Sequence, residues 1–106
     1  MGTFFQRKRL RAENKKRALA LHGLTIRYVT EMRDGEELVL GRKGVLSVHD
    51  GEMIVLSSGE TVFRSPLAGL SVSYLMSGDG AILKGDNSET GQKDQEITVH
   101  FVDVIK

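Results

Sequence analysis

"VLSVHDGEMIVLSSGETVFR", residues 45–64, sets two glycine turns among runs of Val, Ile, Leu, Phe and Thr. Asp50-Gly51 and Ser58-Gly59 are dipeptides that tolerate positive φ at both central positions of a two-residue hairpin loop. The runs beside them are too short for helices, and they carry β-branched and aromatic residues that suit a pleated, half-buried surface. The stretch predicts three antiparallel strands joined by tight hairpins.

The same grammar extends outward. Asp34-Gly35 is another turn signal, and before it Leu24, Ile26, Tyr28, Thr30 and Met32 alternate with Thr25, Arg27, Val29, Glu31 and Arg33, the period of a strand with one buried face. Leu38, Val39 and Leu40 lead through Gly41-Arg42-Lys43-Gly44 into the quoted stretch. After the only proline, Pro66, alternation resumes at Leu70, Val72, Tyr74 and Met76, and Gly78-Asp79-Gly80 turns the chain into the short apolar run 81–84. Residues 85–95 are rich in Gly, Asp, Asn, Ser and Thr and read as a mobile loop. Ile97, Val99 and Phe101 then face one way before the apolar phase moves to Val102 and Val104, which a bulge near Val102 would reconcile. The expected fold class is mainly β: a small seven- to eight-stranded antiparallel barrel or sandwich, a closure that shortens exposed edges.

Residues 6–21 differ from this pattern. They are rich in Arg, Lys, Ala and Leu, which favour helix, and Gly23 is placed to end the segment. At about 100° per residue, Leu10, Ala18 and Leu21 share a sector with Asn14 and Arg17, so the apolar stripe is narrow. The division expected is a basic helical arm over residues 1–23 and a β-barrel-like domain over 24–106.

A formal net charge of +1 conceals a strong asymmetry between these parts. Up to Arg17, seven cations (Arg7, Lys8, Arg9, Arg11, Lys15, Lys16 and Arg17) face one acid, Glu13, giving 7 − 1 = +6; the remainder has 8 cations and 13 acids, giving −5. A basic arm on an acidic body points to an acidic or polyanionic contact. Phe4 and Phe5 at the tip are candidate wedges for an anionic membrane surface. No aromatic residue lies among the seven cations, so nucleic acid bound there would be held by phosphate neutralisation, without sequence preference.

Reactive chemistry finds little support. With no cysteine, disulfides, thiolate nucleophiles and cysteine-ligated metals are excluded, and a cytoplasmic setting is expected. His22, His49 and His100 lack metal-ligand spacing, and no serine sits in a G-x-S-x-G elbow. Gly78-Asp79-Gly80 starts like a phosphate loop, but Leu83 occupies the third glycine position. The run from Asp86 to Gly91 resembles the opening of a calcium loop, yet its twelfth position is Ile97 where a bidentate Glu is required. Neighbouring carboxylates such as Glu36 and Glu37 project to opposite sides of a strand and make no acid/base dyad. His22 and Arg27 interrupt the short apolar run after the arm, which argues against a secretory signal, and Gln6 stands where a myristoylation motif requires Ser or Thr. No catalytic residue, metal site or cofactor is assigned, and an enzyme is not expected.

Phe63-Arg64-Ser65-Pro66-Leu67, followed by the strand from Leu70 to Met76, resembles the strand-to-strand connection of pleckstrin-homology-like modules of the GRAM type. The likeness spans about residues 45–101. It implies a seven-stranded, strongly bent barrel that binds lipids or peptides without catalysis. Two departures stand beside it. The family closes one end of its barrel with a C-terminal helix, whereas this chain ends in strand-like sequence, and its first predicted hairpin, Arg33-Asp34-Gly35-Glu36-Glu37, is too acidic for a phosphate headgroup. No binding residue is transferred.

The expected function is therefore a non-catalytic binding or assembly module. Arg7, Lys8, Arg9, Arg11, Lys15, Lys16 and Arg17 would contact an acidic surface: the chain's own barrel, a sister subunit in an oligomer, or another protein. Nucleic acid and anionic membrane are the alternative partners, and no small-molecule substrate is indicated.

Overall fold

All three predicted hairpins form. Their central residues lie in the left-handed region: Asp34 and Gly35 at φ 52° and 80°, Asp50 and Gly51 at 50° and 74°, Ser58 and Gly59 at 54° and 77°. Such turns match the right-handed twist of the strands they join. The computed structural model describes the backbone of residues 4–102 and the side chains of residues 12–102.

The elements run α1 (Phe4–Ala20), β1 (Thr25–Arg33), β2 (Glu36–His49), β3 (Glu52–Ser57), β4 (Glu60–Pro66), β5 (Ser71–Tyr74), β6 (Gly80–Gly85) and β7 (Gln95–Phe101). The protein is mainly β; the described residues form seven strands in one antiparallel sheet of order β4-β3-β2-β1-β7-β6-β5 and one N-terminal helix. The chain meanders outward from central β1 to edge strand β4, crosses to the other edge at β5, and meanders back inward to β7, which pairs with β1. The sheet curls into a half-barrel whose concave face holds the core, including Ile26, Leu46, Phe63, Leu83, Val99 and Phe101. Each such side chain removed from water contributes about 1.5–3 kcal/mol before entropy is subtracted.

β2 is a single strand of 14 residues. The stretch 41–44, read in the sequence as a link between two runs, stays in the ladder because its glycines admit a close neighbour. A Cβ on Gly44 would lie 1.8 Å from the carbonyl oxygen of Leu56 on β3. Lys43, at φ 56°, takes up the local irregularity.

Two strand readings need correction. In β1 the alternation of Leu24, Ile26, Tyr28, Thr30 and Met32 does not hold to one face: the β1–β7 register shifts between Ile26 and Tyr28, so Ile26 and Val29 are the inward pair and Met32 is 68% exposed. The extra residue, Arg27, switches the phase, as a bulge does. In β5 the inward residues are Leu70 and Val72, while Tyr74 is partly exposed and Met76 projects fully into solvent beyond the strand end. β7 ends at Phe101, Val102 is exposed, and Val104 lies outside the described residues.

An open half-barrel has two edge strands, β4 and β5, whose unpaired backbone groups invite association. Both are covered. The loop after β6 bonds β4 directly: the Ser88 amide donates to the Arg64 carbonyl at 2.8 Å, and the Asn87 side chain accepts from the Arg64 amide at 3.2 Å and donates to the Val62 carbonyl at 3.1 Å. This contact overturns the reading of 85–95 as a mobile loop, since buried polar groups with every partner in place hold it against the sheet. The β5 edge is covered by α1.

Candidate functional site

Helix α1 docks along the narrow sector visible in its sequence. Ala18 and Leu21 are buried in the core, 1% and 0% exposed. Asn14 Oδ1 accepts the Val72 amide at 3.1 Å, Arg17 Nη1 donates to the Val72 carbonyl at 3.5 Å, and Tyr74 Oη donates to the Arg17 carbonyl at 2.9 Å. Two helix side chains therefore satisfy the outward-facing backbone groups of Val72, as a further strand would have done. Gly23, at φ 84°, turns the chain after the helix, and its amide bonds the Leu46 carbonyl at 2.8 Å, fixing the exit into β1. His22 Nδ1 accepts the Val48 amide at 2.9 Å beside it.

On the opposite face of α1 the described side chains of Lys15 and Lys16 point away from the barrel, while Arg17, half-buried, stays at the edge of the docked sector through its bond to Val72. Arg17 makes its ion pair with Glu13, one turn earlier on the same helix, at 3.9 Å and with both groups about half exposed. A pair in that setting contributes little. Lys15 and Lys16 are exposed, and among the described residues no carboxylate lies within ion-pair reach of either. The acids of the body are partly engaged by cations of the body: Lys93 with Asp86 at 3.7 Å, Arg64 with Glu89 at 3.5 Å, and Arg33 with Glu31. Arg64 Nε is close enough to Glu89 for charge attraction but is not aligned for a hydrogen bond. Lys15, Lys16 and Arg17 thus form the described part of the predicted basic surface. The side chains of Phe4, Phe5, Arg7, Lys8, Arg9 and Arg11 lie outside the described residues.

Two clefts flank this ridge. One, of about 450 Å³, opens between α1 and the β4–β5 connection, lined by Asn14, Lys15, Gly51, Leu67, Ala68 and Leu70 among others. Backbone bonds from Leu67 N to the Gly51 carbonyl (2.8 Å) and from Leu70 N to the Leu67 carbonyl (3.1 Å) hold its floor. The other, of about 350 Å³, is lined by Glu13, Lys16, Arg17, Ala20 and Tyr74. Burial pushes the Tyr74 phenol above its ordinary pKa against the opposing charge of Arg17, so the phenol stays protonated and remains a donor. Asn14 and Tyr74 escaped the sequence reading as site residues. Asn14 had a signal, being the polar member of an otherwise apolar sector.

The most buried polar cluster lies elsewhere, where the loop after β6 meets β1. Glu31, 5% exposed, accepts from Gln95 Nε2 at 3.0 Å, from Gln92 Nε2 at 3.3 Å and from Arg33. Asn87 Nδ2 donates to Gln95 Oε1 at 2.7 Å, and Asn87 Oδ1 also accepts the Glu89 amide at 3.0 Å. Burial alone would raise the Glu31 pKa; the hydrogen bonds from Gln95 and Arg33 and the Arg33 charge outweigh it and hold the carboxylate below its ordinary value. The network joins β1, β7 and the loop, a structural role. Among the described residues no group of three His, Asp or Glu is arranged to hold a metal ion. In the stretch that resembles a calcium loop, Asn87 turns inward, Asp86 accepts the Asp94 amide, and Ser88 bonds the Arg64 carbonyl.

On the convex face, the rings of Tyr28 and His100 stack at 4.2 Å with an 18° interplanar angle, and the Arg27 guanidinium lies 5.8 Å from the Tyr28 centroid. Burial lowers the His100 pKa, with the charges of Asp79 and Glu37 opposing it. His49 pairs with Asp50 on an exposed turn at 3.1 Å.

No family model, curated protein or solved structure matches the chain. Among the described residues no helix is long and apolar enough to cross a membrane.

Proposed function

We propose that the protein is a non-catalytic binding module whose docked helix presents a basic ridge to an acidic protein surface supplied from outside its own fold. The observation that carries this reading is the division of labour on α1. Asn14, Ala18 and Leu21 face the sheet and fasten the helix, whereas Lys15 and Lys16 face outward with no carboxylate within ion-pair reach among the described residues. A helix needed only to cover the β5 edge has no use for further cations, and seven in the arm raise its self-repulsion. An acidic partner relieves that repulsion, and the partner is a second copy's acidic body or another protein. The likeness of residues 63–67 to pleckstrin-homology-like modules belongs to the same proposal and rests on the sequence alone.

The test is fluorescence anisotropy with labelled poly-glutamate, run beside a DNA duplex of equal charge and cosedimentation with anionic vesicles. The reading expects a poly-glutamate complex at about 20 mM salt that dissociates by about 0.3 M, because exposed charges are screened beyond roughly 6 Å there. The double variant Lys15→Gln/Lys16→Gln should weaken it. Absence of any poly-glutamate complex at low salt rejects the reading, and a complex with DNA or vesicles alone transfers the ridge to those polyanions.

A further inference from the structure

The ridge of α1 is bounded on both sides by clefts with apolar walls, and a partner recognised by charge alone would use neither. We infer that the partner segment is an extended acidic peptide carrying two large apolar side chains four residues apart, with an acid midway between them. This rests on the reading of α1 as a basic contact surface and specifies the chemistry of its partner.

The geometry sets the spacing. An α-helix with its side chains is about 10–12 Å across, so the clefts on its two flanks are separated by about that distance. An extended chain advances about 3.3 Å per residue, which takes residue i to residue i+4 over about 13 Å with both side chains on the same face. Residue i+2 shares that face and sits over the ridge between the clefts, where Lys15 and Lys16 are exposed. An acid there meets a cation on either flank.

The walls set the side chains. The larger cleft, about 450 Å³, is lined by Leu67, Ala68, Leu70 and Lys15 among others, and its size falls within the range of about 300–1,000 Å³ that ordinary ligand pockets occupy. A branched aliphatic side chain of the partner meets mostly apolar surface there, although Asn14 and Ser71 also line the cleft. The smaller cleft offers the partly exposed ring of Tyr74, the methyl of Ala20 and the Arg17 guanidinium. An aliphatic or aromatic residue packs there against the Tyr74 ring. Glu13 stands at this second cleft, paired with Arg17, and repels acids placed beyond it, so the dense acidic part of the partner lies toward Lys15. The edge of β5 is already occupied by α1, so the segment lies across the helix and does not add a strand.

The experiment uses the full chain and two labelled peptides of equal charge, Ser-Glu-Glu-Leu-Ser-Glu-Ser-Leu-Ser-Gly and the same peptide with both leucines replaced by serine, at 50 mM salt. The inference expects the leucine peptide to bind at least tenfold more tightly, and Ala68→Gln, a neutral and exposed change that fills the mouth of the larger cleft, to erase the difference while a thermal melt shows the fold intact. Equal affinity of the two peptides overturns the inference and leaves the charge-based reading standing. A leucine preference that Ala68→Gln does not reduce overturns the assignment to the cleft. No binding of either peptide removes both the inference and the reading beneath it.

Discussion

Replacing Asn87 with alanine should destabilise this protein more than any other single polar-to-alanine change in the loop after β6. Asn87 is 1% exposed, and its amide makes four hydrogen bonds: it accepts from the Arg64 and Glu89 amides and donates to the Val62 carbonyl and to Gln95 Oε1. At about 1 kcal/mol net for each, the sum approaches about 4 kcal/mol. The Arg64 and Glu89 amides lie near solvent and regain part of theirs, so the expected loss is about 3 kcal/mol. For a domain of this size that corresponds to a fall in Tm of about 12–24 °C. Urea unfolding at pH 7 with an unchanged m-value gives the free energy, and native-state amide exchange should show the Arg64 and Ser88 amides losing protection first. Ser88→Ala, at an exposed position whose hydroxyl bonds only the Arg64 carbonyl, serves as the control at under about 1 kcal/mol. A loss below about 1 kcal/mol for Asn87→Ala, or unchanged protection at Arg64, would mean that the loop does not close the β4 edge.

Three further outcomes follow from the same contacts. Glu31 has a folded pKa below its ordinary 4.5, so its contribution to stability is complete above that value and is lost as pH falls through the lower, folded one; Glu31→Gln should flatten this part of a pH–stability curve measured by urea melts. Gly44→Ala forces a Cβ to 1.8 Å from the Leu56 carbonyl and should cost at least about 3 kcal/mol or shift the β2–β3 register, checked by thermal melting and by cross-strand NOEs between Gly44 and Ser57. The His100 ring should titrate below 6.5 in a histidine-detected NMR series, and Tyr28→Ala, which uncovers the ring, should move it back toward 6.5.

How far these features could be read in the sequence depends on whether their cause is local. Hairpin turns are local: Asp-Gly and Ser-Gly supply left-handed backbone at little cost, and all three formed where the sequence put them. The sector of α1 that docks was equally legible, because Asn14, Arg17, Ala18 and Leu21 follow from helical spacing alone. The phase of β1 was not, since the bulge at Arg27 is imposed by pairing with β7, some seventy residues later. The Asn87–Gln95–Glu31 network was hidden for the same reason. Gln95 and Glu31 are 64 residues apart, and in sequence the loop's polar residues look like those of any solvated loop until one of them is seen to be buried. The two clefts exist only once α1 lies against β5, which no periodicity discloses, whereas the charge of the ridge could be counted directly.

Helix α1, fixed in place, is the surface proposed to meet an acidic partner. The measurement is a ¹H–¹⁵N titration of the full chain with unlabelled oligo-glutamate at low salt, repeated at about 0.5 M salt, where the Debye length is about 4 Å. The prediction is a set of shifts at residues 15–20 and 67–71, absent at high salt, while the core amides of Val29, Leu46 and Val99 stay unchanged. Shifts confined to other surfaces, or none at low salt, would contradict it.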